Sequence, residues 1–134
     1  MRYILSTIAL TALASSYVTA LGINCKGSDS CRTFVAKNHG DRSNVAEALK
    51  NAIDTIADDK KFKSGDHIFC IQGLVGHICA FLQKVGSDGL LAKEIKVLAG
   101  NIVDHNCRGC GSAPVFGDDI ENQGELTFNY IRPH

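Results

Sequence analysis

Apolar side chains recur at helical spacing in two segments of the chain. In residues 44–57 they fall three or four positions apart, and Asn44 and Glu47 have the spacing of a capping box. A second amphipathic stretch follows Asp88 and ends near His105 or Asn106. The apolar positions of the two segments are Val45, Leu49, Ala52, Ile53 and Ile56, then Leu91, Ile95, Leu98 and Ile102. The pattern therefore predicts two amphipathic helices.

Short β-branched or aromatic runs predict strands between and after these helices. Residues 67–71 and 78–83 are two such runs, and the glycines between them favour a turn that joins paired strands. Alternating polar and apolar residues over Glu125–Ile131 predict a half-buried strand, and residues 32–36 show a weaker strand pattern. We therefore predict an α+β sandwich, in which an antiparallel sheet carries the two main helices on one face.

The first twenty residues have the features of a secretory signal peptide. Arg2 provides a positive start, residues 4–18 are mostly apolar, and Ala20 ends a run of small or branched residues that a signal peptidase would read. This apolar stretch is shorter than the roughly 20 residues of a membrane span, and no later stretch is long or uncharged enough. We predict a signal peptide over residues 1–20 and one secreted, extracellular domain over residues 21–134, without stable membrane insertion.

Net charge gives no reason to expect a nucleic-acid partner. The 134-residue chain has 14 Lys and Arg and 14 Asp and Glu, so that loss of Arg2 with the signal peptide leaves a net charge of −1 before histidines. Binding to nucleic acid or to an anionic membrane through bulk electrostatics needs a clear excess of positive charge. The sequence predicts no nucleic-acid partner, and it indicates no cofactor.

Six cysteines lie in the predicted extracellular domain: Cys25, Cys31, Cys70, Cys79, Cys107 and Cys110. An oxidising location favours disulfides. Cys70 and Cys79 flank the predicted turn, which favours a bridge across the hairpin. The two N-terminal cysteines are then left to bond Cys107 and Cys110, in either combination. Two alternatives are a redox-active Cys107–Cys110 pair, which would need a thioredoxin-like context, and a zinc site made by the four terminal cysteines.

A small secreted hydrolase is an alternative class of function. General acid–base catalysis needs two titratable groups that face one cleft, and no spacing in this sequence requires such a pair. Common hydrolase and phosphate-binding motifs are absent from the sequence. We therefore predict a protein that is not an enzyme, with no catalytic residues and no metal site. The histidines and carboxylates considered are His39, His67, His77, His105 and His134 with Glu47, Glu94 and Glu125.

The basic segment Lys60, Lys61, Phe62 and Lys63 is the strongest candidate for a partner-binding surface. A phenylalanine among lysines can anchor a contact, because large aromatic side chains contribute much of the energy of protein interfaces. The alternative is an ordinary solvated loop, since the two preceding aspartates at 58 and 59 offset the positive charge.

Several segments of the chain resemble the killer-protein-four toxin family of fungi and their viruses. They are LGINCKGS at residues 21–28, NCRGCGS at 106–112 and GELTFNY at 124–130. These segments cover both ends of the mature chain and match the family in order and spacing. The middle of the chain agrees more loosely, through ICAFLQ at residues 78–83 and the helix before Cys107.

This resemblance implies a secreted, disulfide-rich α/β sandwich with bridges Cys25–Cys107 and Cys31–Cys110. It also implies a toxin that inhibits growth of target cells by binding a cell-surface protein, with a calcium channel as the implied partner. We predict that the protein is a monomer. A lysine near a hairpin cysteine is associated with toxicity in the family, and the matching residue here is His77 in one register or Ile68 in the other. A secreted effector with a different surface target remains an alternative of the same fold.

Overall fold

The computed structural model describes residues 22–38, 44–73, 76–115 and 124–132, which form two helices, four strands, a third helix and two final strands. The predicted signal peptide over residues 1–20 lies outside these ranges. The elements, in chain order, are α1 (Ser30–Asn38), α2 (Val45–Ile53), β1 (Lys61–Phe62), β2 (His67–Gln72), β3 (His77–Gln83), β4 (Leu90–Leu91), α3 (Ala92–Asp104), β5 (Gly111–Pro114) and β6 (Glu125–Ile131).

The main sheet has the strand order β2-β3-β6-β5, and all neighbouring strands are antiparallel. Residues two apart on a strand share a face of the sheet, so Ala80 and Leu82 of β3 lie beside their partners Phe128 and Leu126 on one face. All four side chains are fully buried. Helices α2 and α3 pack against each other and against these strands, and one hydrophobic core forms between the two layers. The predicted α+β sandwich is confirmed.

The start of α2 follows the predicted capping pattern, but the helix is shorter than predicted. The Asn44 side-chain oxygen accepts a hydrogen bond from the Glu47 amide at 3.0 Å, and the helix buries Leu49 and Ile53 in the core. Regular α-helix ends at Ile53, because the next residues form tighter turns in which the Thr55 amide donates to the Ala52 carbonyl. The sequence prediction of residues 44–57 was therefore four residues too long at the C-terminal end.

The weak strand predicted for residues 32–36 is wrong, because this segment is part of α1. Cys31 and Phe34 lie three residues apart on the helix, and both are buried. Cys31 is bonded to Cys110, and the Phe34 ring packs edge-on against Tyr130 with 6.3 Å between ring centroids. These long-range contacts select the helix over the strand that the short run of β-formers favours.

Three short strands were not predicted from the sequence. Strands β1 and β4 pair with each other as a separate two-stranded ribbon, and β5 adds to the main sheet beside β6. The ribbon contains only two residues a strand, and β5 contains four. Such lengths are too short for an alternating pattern to be recognised, so tertiary pairing defines these strands.

The described helices are short. Helices α1 and α2 have nine residues each, and α3 has thirteen, whereas a bilayer span needs about 20. Within the described ranges, no helix combines the length and the apolar composition that crossing a membrane requires.

Candidate functional site

Three disulfides cross-link the domain. Cys25 is bonded to Cys107 and Cys31 to Cys110, across sequence separations of 82 and 79 residues. These are the two pairs that the family resemblance implies. The third bridge joins Cys70 and Cys79 directly across strands β2 and β3, as their positions beside the turn favour. No free cysteine remains, so the sulfurs are not available as zinc-binding thiolates.

The segment before α1 lies along the edge of the sheet beside β5. Asn24 and Ser112 exchange backbone hydrogen bonds of 3.1 and 2.8 Å, and the Ser28 amide donates to the Asn129 side chain at 3.0 Å. A Cβ atom added to Gly27 would lie 2.6 Å from the Cβ of Cys110. Glycine at position 27 therefore permits the close approach of this segment to the Cys31–Cys110 bridge.

A groove of about 860 Å³ opens between this N-terminal segment, the first turn of α1 and the loop that follows α3. We call it the disulfide groove, because the cysteines of both long-range bridges line it. Its charged side chains are Lys26, Arg32 and Arg108 with the single carboxylate of Asp29. The other lining residues are Cys25, Gly27, Ser28, Cys31, Thr33, Asn106, Cys107, Gly109 and Cys110.

Sequence reasoning missed this groove, although Lys26 and Arg108 belong to segments that carry the family resemblance. Lys26 follows Cys25, and Arg108 follows Cys107, so each cation adjoins one half of the same disulfide. Once that bridge is assigned, the adjacency predicts that the two positive side chains lie near each other. The pairing of cysteines was therefore the signal from which the groove could have been found.

The lysine segment, residues 60–63, lies beside the start of α3, whereas the disulfide groove adjoins the C-terminal end of this helix. Lys60, Lys61 and Lys63 are exposed, whereas Phe62 is only 6% exposed and belongs to the hydrophobic core. Phe62 therefore cannot be the contact anchor that the sequence predicted, because its ring is buried. Its ring instead lies 5.2 Å from the Lys60 ammonium, at a distance suited to a cation–π interaction. The segment offers three lysines without an exposed aromatic ring.

Backbone and ionic contacts fix the lysine segment against the start of α3. The Lys60 carbonyl accepts a hydrogen bond from the Ala92 amide at 2.7 Å. Just before the segment, the Asp58 carboxylate contacts the Lys96 ammonium at 2.6 Å. That hydrogen bond and the positive charge of Lys96 lower the pKa of Asp58 below its ordinary value. These contacts distinguish the segment from a freely solvated loop.

We expect replacement of Gly89 by alanine to displace the lysine segment. Gly89 has a φ of +69°, and an added Cβ atom would overlap the Phe62 carbonyl oxygen. A non-glycine residue in such a conformation costs roughly 1–3 kcal/mol, even before the overlap is relieved. The matched control is Gly86→Ala, since nothing lies within 4 Å of a Cβ atom at Gly86. In urea unfolding, only the Gly89 variant should show a large decrease in the free energy of unfolding. Equal stabilities of the two variants would contradict the close approach of Gly89 to β1.

His77 lies far from the lysine segment, although the two are close in sequence. His77 begins β3 at the turn end of the hairpin, opposite Ile131 of β6. The lysine segment adjoins the other end of β3, because Ser64 forms a bridge with Leu82. Leu82 lies five positions along the strand from His77, which corresponds to roughly 17 Å. The structure therefore presents two separate candidate surfaces.

The histidines considered for catalysis are dispersed among the described elements. The rings of His67 and Phe81 are 6.2 Å apart, and His67 Nδ1 lies 3.9 Å from Cys70 Sγ. His105 is the C-cap of α3. His67 and the sulfurs of Cys70 and Cys79 come close enough to resemble a metal cluster, but both sulfurs belong to one disulfide. His39 and His134 lie outside the described residues.

Fold and surface together define a small α+β protein that is cross-linked by disulfides and presents cationic side chains at both ends of α3. The family model described as Kp4 matches residues 7–132, and the chain belongs to this family. The chain is also 29% identical over 117 residues to the KP4 killer toxin of Ustilago maydis P4 virus, a match that covers 85% of this chain and 83% of the toxin. The resemblance found in the sequence is thereby confirmed.

Proposed function

We propose that this protein is a secreted killer toxin that inhibits growth of target cells by binding a cell-surface protein, without catalysing a reaction. The observation that carries the proposal is the Kp4 match over residues 7–132, together with the similarity to a protein named as a killer toxin. Three disulfides in so small a domain are typical of proteins that act outside the cell. The proposed target is a calcium channel.

The lysine segment is the proposed contact with that channel. Rings of carboxylates commonly select cations in channel pores, and an exposed lysine ammonium is a compact cation that such carboxylates attract. Lys61 is exposed on the β1–β4 ribbon, and the exposed Lys60 and Lys63 flank it. The backbone of Lys60 is hydrogen-bonded to the start of α3. Because the backbone is already ordered, binding loses less conformational entropy than it would from a flexible loop.

His77 is the proposed second contact, at the turn end of the hairpin. It is half-buried, and its Nδ1 atom is buried without a hydrogen-bond partner within the described residues. Because His77 and the lysine segment lie at opposite ends of β3, the two contacts can be tested independently. A His77→Gln variant in the growth assay described next would show whether the turn end contributes to toxicity.

Simultaneous replacement of Lys60, Lys61 and Lys63 by glutamine should reduce growth inhibition of susceptible fungal cells by about tenfold or more. The stability of the fold should change by less than about 0.5 kcal/mol for each substitution, because the side chains are exposed. The matched control replaces the same three residues by arginine, which retains the charge and should retain most of the activity. Half-inhibitory concentrations in a growth assay give the comparison.

Excess calcium in the medium separates the proposed channel target from other modes of action. If the protein interferes with calcium uptake, added calcium should restore growth in the presence of the native protein. Persistent inhibition at high calcium would exclude the channel as target but leave a different surface partner. A glutamine variant with unchanged activity would remove the lysine segment from the contact, and an inactive native protein would overturn the proposed function.

A further inference from the structure

We propose that the disulfide groove binds an acidic peptide segment of a partner protein. This contact would be separate from the lysine segment, since the groove adjoins the C-terminal end of α3 and the lysine segment adjoins its start. Thirteen helical residues lie between them, a length of roughly 20 Å. The inference goes beyond the proposed function, because binding in the groove can be measured without any toxic effect.

Local charge favours an anionic ligand in the groove. The chain has equal numbers of basic and acidic residues, yet the groove contains Lys26, Arg32 and Arg108 against one carboxylate from Asp29. Lys26 and Arg32 have no ion-pair partner within the described residues. A guanidinium group can donate two parallel hydrogen bonds to one carboxylate. Lys26 and Arg32 therefore offer the groove two unpaired cations that suit glutamate or aspartate side chains.

The walls of the groove are held in position before a ligand arrives. One wall is the segment with Lys26 and the start of α1, and the other is the loop with Arg108. Cys25–Cys107 and Cys31–Cys110 join these walls covalently, and the Arg108 carbonyl also accepts a hydrogen bond from the Ala46 amide at 3.1 Å. A preformed site loses little conformational entropy on binding, which favours affinity.

The size and mixed lining of the groove favour a peptide over a uniformly charged polymer. About 860 Å³ lies within the range of roughly 300–1,000 Å³ that is usual for ligand sites, and it far exceeds the space of one small anion. Asp29 would repel a polyanion but can accept hydrogen bonds from peptide amides, as can the side-chain oxygens of Ser28, Thr33 and Asn106. The disulfides add apolar surface for the aliphatic parts of a peptide.

NMR titration of the ¹⁵N-labelled, disulfide-bonded protein tests the proposal. The probe is the acetylated and amidated peptide Glu-Ala-Glu-Ala-Glu, and its control is the uncharged analogue Gln-Ala-Gln-Ala-Gln. We expect the amide signals of Lys26, Arg32 and Gly109 to shift with the first peptide and to remain unchanged with the second. The double variant Lys26→Gln and Arg32→Gln should weaken binding by about tenfold. Lys93→Gln, at an exposed lysine outside both the groove and the lysine segment, should leave binding unaltered.

Several results would overturn the proposal. One is the absence of chemical-shift changes at the groove residues up to about 10 mM peptide. The others are equal chemical-shift changes with the glutamine analogue and changes centred on the lysine segment. Stronger binding of a sulfated oligosaccharide, or of vesicles that contain phosphatidylserine, would also reject a peptide ligand. Because no cells are used, a protein that fails to inhibit growth could still bind the peptide, so failure here and failure of the proposed function are distinguishable.

Discussion

Replacing Cys25 and Cys107 together by alanine should lower the free energy of unfolding by about 4–5 kcal/mol, whereas the same change at Cys70 and Cys79 should lower it by about 2–3 kcal/mol. In the chain-entropy model, a disulfide restricts the unfolded chain more strongly when it closes a longer loop. The two sequence separations are 82 and 9 residues, and their ratio alone corresponds to a difference of about 2 kcal/mol.

Urea unfolding of the non-reduced double variants measures this difference. Each of the two bridges contains one cysteine that is only 1% exposed, Cys107 or Cys79, so the cavities left by alanine are comparable. Removal of Cys31 and Cys110 provides an internal control. Because this bridge spans 79 residues, its removal should lower the free energy of unfolding by nearly as much as removal of Cys25 and Cys107. A long-range variant too unstable to fold would still support the predicted order. A hairpin variant less stable than both others would contradict it.

Replacement of Phe128 by alanine should lower the free energy of unfolding by about 3–5 kcal/mol. Phe128 is fully buried in β6, one of the two central strands of the sheet. Its neighbours across the two adjoining strands are Ala80 and Gly111, whose small size leaves the ring space on that face. Neither neighbour has a side chain long enough to fill the cavity, so little of the loss can be recovered by repacking.

Phe69→Ala provides a matched control for this prediction. Phe69 lies on β2 of the same sheet but is 41% exposed, so its truncation removes less buried area and leaves no enclosed cavity. The loss should be less than half of that at Phe128, since the hydrophobic contribution scales with the area removed from water. Similar losses in urea unfolding would show that Phe128 does not have the central packing role assigned to it.

Local sequence patterns were sufficient for the larger elements of the fold. The capping pattern at Asn44 and the helical spacing of apolar residues located α2 and α3, and alternating polarity located β6. The glycines between the two runs of β-formers located the β2–β3 hairpin, and its bridge followed because Cys70 and Cys79 flank that turn. Each of these features depends on residues that are close in sequence, so periodicity and turn chemistry can reveal it.

The candidate contact residues could be predicted only in part. Exposure of Lys60, Lys61 and Lys63 follows from their charge, but burial of Phe62 depends on the ribbon that β1 forms with β4. The separation of His77 from the lysine segment follows from the direction of β3. Nearness in sequence did not give nearness in space, because an extended strand moves the chain about 3.3 Å for each residue.

Tertiary structure alone decided the features that join distant segments. The sequence by itself determined the family, the α+β class and the long elements, since each of these follows from patterns within contiguous residues. Residue spacing left two ways to bond Cys25 and Cys31 to Cys107 and Cys110, and the fold selects one of them. The same long-range packing makes residues 32–36 helical and forms the disulfide groove from both ends of the domain. The physical reason is that a local pattern records which face of an element is apolar, whereas the partner of that face is set by packing of the whole chain.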